Sequence, residues 1–192
     1  MRWVAGVDEA GVGPLAGPVV AAAVILRRGV RIDGLDDSKR LSPKKRVIVA
    51  EQIRQSSLAF AVGRADVMEI DDLNVLRAAW LAMQRAVAAL TMAPTQVLVD
   101  GQYTPVFPCP ARAIVHGDAT VAEIMAASVL AKVARDEEMC AWDSLYPQYG
   151  FAVHKGYGTA RHLAVLKEFG PCPLHRNSFA PVRVCVRERE GT

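Results

Sequence analysis

Four carboxylates stand out by where they fall in the chain. Asp8 and Glu9 follow an apolar run at residues 3–7. Asp100 follows Val97-Leu98-Val99, and Asp118 comes just after Ala113-Ile114-Val115, with His116 and Gly117 between. An acid set directly after a short apolar strand stands at the strand's C-terminal edge, where sites in α/β sheets assemble. Four unpaired carboxylates in one cleft repel one another and need cations. Oxygen ligands without His or Cys favour Mg²⁺ or Mn²⁺ over zinc. Two such ions about 4 Å apart activate water and stabilise the leaving oxygen of a phosphodiester. One such acid is an ordinary strand end at a surface; three strands ending alike point to metal chemistry.

The elements that must position these acids are legible in outline. Residues 3–7, 19–26 and 58–64 read as strands, the second a continuous β-branched and Ala-rich run. Ser42-Pro43 opens a helix over residues 43–55, since Ser caps well and Pro suits a first turn. That first turn carries Lys44, Lys45 and Arg46, which oppose the helix dipole unless a phosphate binds there. Residues 70–90 repeat apolar side chains at spacings of three and four and read as one amphipathic helix. Short strands follow at 97–99 and 113–115, then helices at 121–145 and 159–169. From Pro171 onward the pattern is irregular. Three strands with a helix, another helix, two strands and more helices make an α/β domain with a mixed sheet.

Composition bounds the rest. The 192 residues are 52% hydrophobic and 22% charged, enough apolar material for a core and the length of one domain, taken as residues 1–192. Aromatics are only 6%, so Val, Leu, Ile and Ala must build that core. The net charge of +3 is unevenly spread: residues 1–60 carry a basic excess and residues 61–120 an acidic one. This suits a basic surface around an acidic pocket, or plain surface variation. Cys109, Cys140, Cys172 and Cys185 form no C-x-x-C pair, so a zinc knuckle is excluded and free thiols in a reducing cytoplasm are expected. The longest uncharged run, residues 10–26, is broken by Pro14, Pro18 and three glycines and is preceded by acids, which fits neither a membrane span nor a signal peptide.

The sequence Val7-Asp8-Glu9-Ala10-Gly11-Val12-Gly13-Pro14-Leu15-Ala16-Gly17-Pro18-Val19 resembles the N-terminal signature of ribonuclease HII. Further matches follow in order: Asp36-Asp37-Ser38-Lys39-Arg40-Leu41-Ser42, Val99-Asp100-Gly101, Gly117-Asp118, Ala126-Ala127-Ser128-Val129-Leu130-Ala131-Lys132-Val133-Ala134-Arg135-Asp136, and His154-Lys155-Gly156-Tyr157-Gly158-Thr159. The resemblance spans about residues 3 to 180.

It implies the ribonuclease H-like fold, a five-stranded mixed sheet flanked by helices, with a C-terminal helical segment. It implies hydrolysis of RNA in RNA–DNA hybrids, and nicking of duplex DNA 5′ of an embedded ribonucleotide, with Mg²⁺ or Mn²⁺. Products would carry 3′-hydroxyl and 5′-phosphate ends, and the cellular role would be removal of misplaced ribonucleotides and RNA primers. Asp8, Glu9, Asp100 and Asp118 match the family's catalytic carboxylates, with Asp8 bridging two metals. The turn Gly11, Val12, Gly13 matches the backbone that contacts the ribose 2′-hydroxyl, the group that separates RNA from DNA. Tyr157 matches the tyrosine that packs on the following deoxyribose. Lys39, with Lys44, Lys45 and Arg46, would contact phosphates. The chain reaches its first strand within a few residues, so the extra N-terminal domain of ribonuclease HIII is not expected. A monomer in the cytoplasm is expected.

Two positions depart from the pattern. Val12 stands where the family has Arg, removing a positive charge from the turn. Glu123, where the family has a small or uncharged residue, is expected to cap the start of its helix, where the dipole favours an anion, or else to add a carboxylate near the metal site. Val12 motivates one alternative, a module that binds hybrids without efficient turnover. Another is a nuclease of the same fold without ribonucleotide specificity. Ser128 and Lys132, four apart on a helix, are read as packing and surface charge rather than a nucleophile pair. His116 and His154 are read as structural.

Overall fold

The computed structural model describes residues 3–36 and 38–190. Asp37 of the Asp-Asp-Ser-Lys segment and the last two residues of the tail lie outside that range. Five strands form one sheet: β1 (Val4–Ala10), β2 (Val19–Leu26), β3 (Ser57–Ala65), β4 (Gln96–Asp100) and β5 (Ala111–Ile114), in the order β3-β2-β1-β4-β5. β1 and β2 pair antiparallel, with Asp8 opposite Ala22, and β2 pairs antiparallel with β3. β4 runs parallel to both β1 and β5, with Val7 opposite Val99 and Asp100 opposite Ile114. This is the mixed five-stranded sheet that the resemblance implies. Central β1 and its neighbour β4 both end in carboxylates at the same edge.

Eight helices surround the sheet among the described residues: α1 (Pro43–Ser56), α2 (Val67–Leu73), α3 (Val75–Ala88), α4 (Gly117–Thr120), α5 (Ala122–Leu145), α6 (Phe151–His154), α7 (Ala160–Phe169) and α8 (Ala180–Glu190). Pleat alternation divides the sheet residues between two cores. Ala5, Val7, Val97 and Val99 pack with Ala78, Ala82, Met83 and Ala86 of α3. Ala22 and Val24 pack on the opposite face, with Ile53 of α1 and Ala126, Ala127 and Leu130 of α5. Asp8 belongs to this second face, because it stands two residues beyond Gly6. Few aromatics are needed, since the alanines let helix backbones approach the sheet closely. The closest approach is at Gly6, where an added Cβ would lie 2.0 Å from the Glu123 carbonyl carbon.

Three expectations are corrected. Residues 70–90 are not one helix. Asp66 and Glu69 form a capping box that starts α2 early, and the chain breaks at Asn74 (φ 71°). The Asn74 side chain then caps α3 by accepting from the Leu76 and Arg77 N–H groups. The apolar spacing runs through this break because both helices cover the same core. Second, β5 ends at Ile114, and Asp118 sits on the single turn α4, reached through His116 in the left-handed region (φ 55°). Third, the tail is not irregular throughout. Residues 171–179 lack regular structure except for a bridge between Ala16 and His175, but residues from Ala180 form α8. Pro181 falls in its first turn, and Val182 and Cys185, three apart, bury against Leu15 and Leu166. The abundant charge of this segment hid that short apolar stripe.

Candidate active site

β1 and β4 bring Asp8 and Asp100 to adjacent strand ends, and α4 adds Asp118. One carboxylate oxygen from each of the three lies within 4.8 Å of the others. Asp8 and Asp118 are buried and Asp100 is half-buried. The turn into α4 fits because residue 117 is Gly; an added Cβ there would lie 2.5 Å from Ile124 Cδ1 and 3.4 Å from Asp100 Oδ1. The Asp118 N–H donates to Asp100 Oδ1 (3.2 Å), and the Glu9 N–H donates to Asp8 Oδ1 (2.7 Å). Glu9 stands outside the three-oxygen cluster but feels its charge.

The electrostatics follow from this crowding. Burial, then the charges of Glu9 and Asp100, push the Asp8 carboxyl well above its usual range. Burial and Asp100 push Glu9 up to about 7. Ser128 of α5 opposes the rise at Asp8 by hydrogen bonding to it, and Ser38 bonds Ser128 in turn (2.8 Å). Lys39 Nζ donates to Asp118 Oδ2 (3.1 Å) and lowers the Glu9 pKa. A cluster of crowded carboxylate oxygens touched by an ammonium is the donor set that hard divalent cations satisfy. Mg²⁺ or Mn²⁺ fits these residues. Among the described residues, no nitrogen or sulfur ligand belongs to the cluster.

The turn of Gly11, Val12 and Gly13 continues directly from β1. Gly11 is in the left-handed region (φ 97°), which a side chain would resist. A Cβ at Gly13 would meet the Tyr157 ring at 3.8 Å (Cε1), so turn and ring face each other. The backbone ties them too: the Leu15 N–H donates to the Gly156 carbonyl (2.8 Å). Val12 and Tyr157 are exposed. Lys132 Nζ stands 6.0 Å from the Tyr157 ring centroid and bonds Asp136 (2.7 Å). Ser128 and Lys132 therefore have separate partners.

The basic cluster at the start of α1 divides. Lys44 and Lys45 are exposed, but Arg46 is buried. Its guanidinium donates to the carbonyls of Ser38 and Leu41 and pairs with Asp136 (3.2 Å), so it shapes the Lys39 segment rather than meeting a phosphate. Glu123 lies in the first turn of α5 and lines a groove with Trp3, Arg27 and Arg28 near the start of β1, away from the acidic cluster. His154 is structural: it accepts from the Gly156 N–H at Nδ1, and its Nε2 meets the Tyr149 carbonyl. All four cysteines are free thiols. No helix among the described residues is long and apolar enough to cross a membrane.

Sequence reasoning missed a second layer beneath the turn. Arg176 is fully buried and donates to the carbonyls of Gly11 (2.6 Å), Val12 (3.0 Å), Gly17 (2.8 Å) and Pro18 (3.3 Å). Arg135 donates to Pro18 (3.0 Å) and Ala16 (3.1 Å). Neither has a spacing signal; only a His-Arg pair in an apparently irregular tail marks Arg176.

The family model for ribonuclease HII matches residues 5–182. A ribonuclease HII from Coxiella burnetii (strain Dugway 5J108-111) is 58% identical over 180 residues, covering 94% of this chain and 89% of that protein. The crystal structure of the ribonuclease H2 from Pyrococcus horikoshii OT3 is similar throughout, with a TM-score of 0.83, 25% identity and full coverage of both chains. A Bst-RNase HIII structure in complex with Mn²⁺ shares the fold at 18% identity, with a TM-score of 0.78, over all of this chain and 71% of that one.

Proposed function

This chain belongs to the ribonuclease HII family, and from that membership we propose that it cleaves RNA–DNA hybrids and nicks duplex DNA 5′ of embedded ribonucleotides, leaving 3′-hydroxyl and 5′-phosphate ends. The single observation that carries this reading is the convergence of Asp8, Asp100 and Asp118 oxygens within 4.8 Å, directly beside a turn that continues from the same strand. Asp8, Glu9, Asp100 and Asp118 are the residues that would hold two Mg²⁺ or Mn²⁺ ions. Bound there, such ions supply an activated water and charge stabilisation at the leaving oxygen.

The rest falls to the chain's own groups. Ser128, itself bonded to Ser38, favours the ionised form of the Asp8 carboxyl. Backbone groups of Gly11, Val12 and Gly13 contact the ribose 2′-hydroxyl, and the exposed Tyr157 ring packs on the neighbouring deoxyribose. A deoxyribonucleotide leaves those backbone groups unpaired, which is how a polar site rejects a substrate lacking one hydroxyl. Lys39 engages a phosphate, and exposed Lys44 and Lys45 extend the basic surface. The whole chain acts as one catalytic domain, a monomer in the cytoplasm.

Three duplexes test the reading, each with Mg²⁺ or Mn²⁺: DNA with one ribonucleotide, all-DNA, and an RNA–DNA hybrid. Cleavage of the first and third is expected. No cleavage of any would overturn it, and equal cleavage of all-DNA would leave a nuclease without ribonucleotide specificity.

A further inference from the structure

His162 and His175 are buried together behind Tyr157, and their hydrogen bonds run in one direction. The Cys172 N–H donates to His175 Nδ1 (3.0 Å), which makes that nitrogen the acceptor and leaves the proton on Nε2. His175 Nε2 lies 3.0 Å from His162 Nε2, so it donates there. His162 then carries its proton on Nδ1, which donates to the Tyr157 carbonyl (2.9 Å). Every nitrogen of the pair has one role, and both rings are neutral. Burial supports this, lowering both pKa values, His175 to about 4. His154 stacks on His162, with ring centroids 4.3 Å apart, and fixes its plane.

Arg176, the next residue, turns the other way. Its bonds pin the Gly11 and Val12 carbonyls inward. In a trans peptide the N–H of the following residue points opposite to the carbonyl. Pinning these two carbonyls therefore directs the Val12 and Gly13 N–H groups outward, and no group among the described residues takes either of them. The segment itself is anchored: the Arg176 N–H donates to the Leu15 carbonyl (2.9 Å), and Gly17 N–H to Leu174 (2.8 Å).

We propose that His175 and Arg176 are the positioning residues of the ribonucleotide reader, one holding Tyr157 through His162 and the other aiming the N–H groups of the 11–13 turn. The two halves of the reader are thereby fixed at one separation by a single dipeptide. This rests on the reading of the turn and Tyr157 given above. It also accounts for how the turn keeps its shape with Val at position 12: the cation that shapes it lies beneath it, not on it.

The test uses the full chain and four variants: Arg176→Lys, which keeps the charge but not the fork; His162→Phe, which keeps a buried ring but no donor; His162→Asn, whose amide can place an N–H near the Nδ1 position; and Tyr157→Ala. kcat and KM are measured on a duplex with one ribonucleotide and on an RNA–DNA hybrid, and Mn²⁺ binding is measured by calorimetry. Arg176→Lys and His162→Phe should lower kcat/KM on the single-ribonucleotide duplex roughly ten- to hundredfold, the scale of misplacing a group by an ångström. The hybrid should lose less, Mn²⁺ affinity should hold, and His162→Asn should recover most of the loss. If Tyr157→Ala impairs the single-ribonucleotide duplex while Arg176→Lys and His162→Phe do not, the proposal fails and the reading of Tyr157 stands. If Tyr157→Ala changes nothing, both fall. Equal losses in Mn²⁺ affinity and on both substrates would make the dipeptide a general support of the fold and overturn the proposal. Should Arg176→Lys not fold, the His162 pair decides the matter, because it leaves the guanidinium in place.

Discussion

Lys39 Nζ stands 3.1 Å from Asp118 Oδ2, joining an ammonium that is 76% exposed to a carboxylate that is 9% exposed. The lysine touches the acidic cluster and also lowers the Glu9 pKa. It therefore competes with a metal for the same negative charge. Lys39→Ala should tighten Mn²⁺ binding to the substrate-free protein by up to about fivefold, since exposed pairs contribute up to roughly 1 kcal/mol. On the proposed role of Lys39, the same change should weaken cleavage by removing a phosphate contact. Calorimetry beside kinetics checks both signs; weaker Mn²⁺ binding would count against the arrangement.

Asp100 raises the pKa of both Asp8 and Glu9 and accepts from the Asp118 N–H. Asp100→Asn keeps the shape but removes one negative charge from the cluster. Cleavage should fall by more than about a hundredfold, beyond the range for residues that only support a ligand. Glu9 should titrate lower, as read by carbon NMR of its carboxyl. Retained activity would remove Asp100 from the metal assignment.

Metal binding should depend on pH with a defined sign. Glu9 has a folded pKa of about 7 against an ordinary 4.5, and Asp8 is raised in the same direction. The fold favours their protonated forms, so this contribution to stability is present below about pH 4.5 and lost as pH rises through about 7. A divalent ion takes the ionised forms and releases protons. Mn²⁺ affinity should therefore climb by up to about tenfold per pH unit below pH 7 for each proton released. Titrations in buffers of different ionisation enthalpy count those protons, and a flat profile from pH 5.5 to 8 is the contrary result.

Val12 is exposed on the turn. Val12→Arg should tighten binding to duplex substrate and steepen the plot of log K against log salt by about one unit, the signature of one added phosphate contact. Fluorescence anisotropy over a salt series measures it. An unchanged slope means the side chain at this position never meets a phosphate.

Gly6→Ala tests the seat of the acidic cluster from outside it. The new methyl would overlap the Glu123 backbone of α5 and force that helix from β1. Overpacking costs about 1–3 kcal/mol, and here the obstacle is backbone rather than a flexible side chain. Thermal unfolding should show the loss, and weaker Mn²⁺ binding should accompany it, because Ser128 rides on α5. A variant as stable as the parent would contradict the close contact.

The acids were legible because a strand end is written in the sequence as an apolar run followed by a carboxylate. β1 and β4 deliver Asp8 and Asp100 on that rule, and Asp118 follows β5 at one turn's remove. The break at Asn74 was not legible: the apolar spacing on either side stays in phase, while the left-handed residue between is set by its side chain capping α3. Arg46 read as a surface cation because its neighbours Lys44 and Lys45 are; only the fold of the Lys39 segment around its guanidinium buries it. Arg176 and the histidine pair bond across more than a hundred residues or through backbone carbonyls, and carbonyls carry no sequence signal.

The bond from Arg176 to Gly11 spans 165 positions. Chains are made from the N-terminus at about 5–20 residues per second, so Asp118 leaves the ribosome a few seconds before Arg176 does. During that interval the acidic strands exist without the guanidinium that shapes the adjoining turn. The nascent chain thus holds its acidic strand ends before the residue that pins the turn beside them, and the shape of that turn is sealed by one of the last stretches to be made.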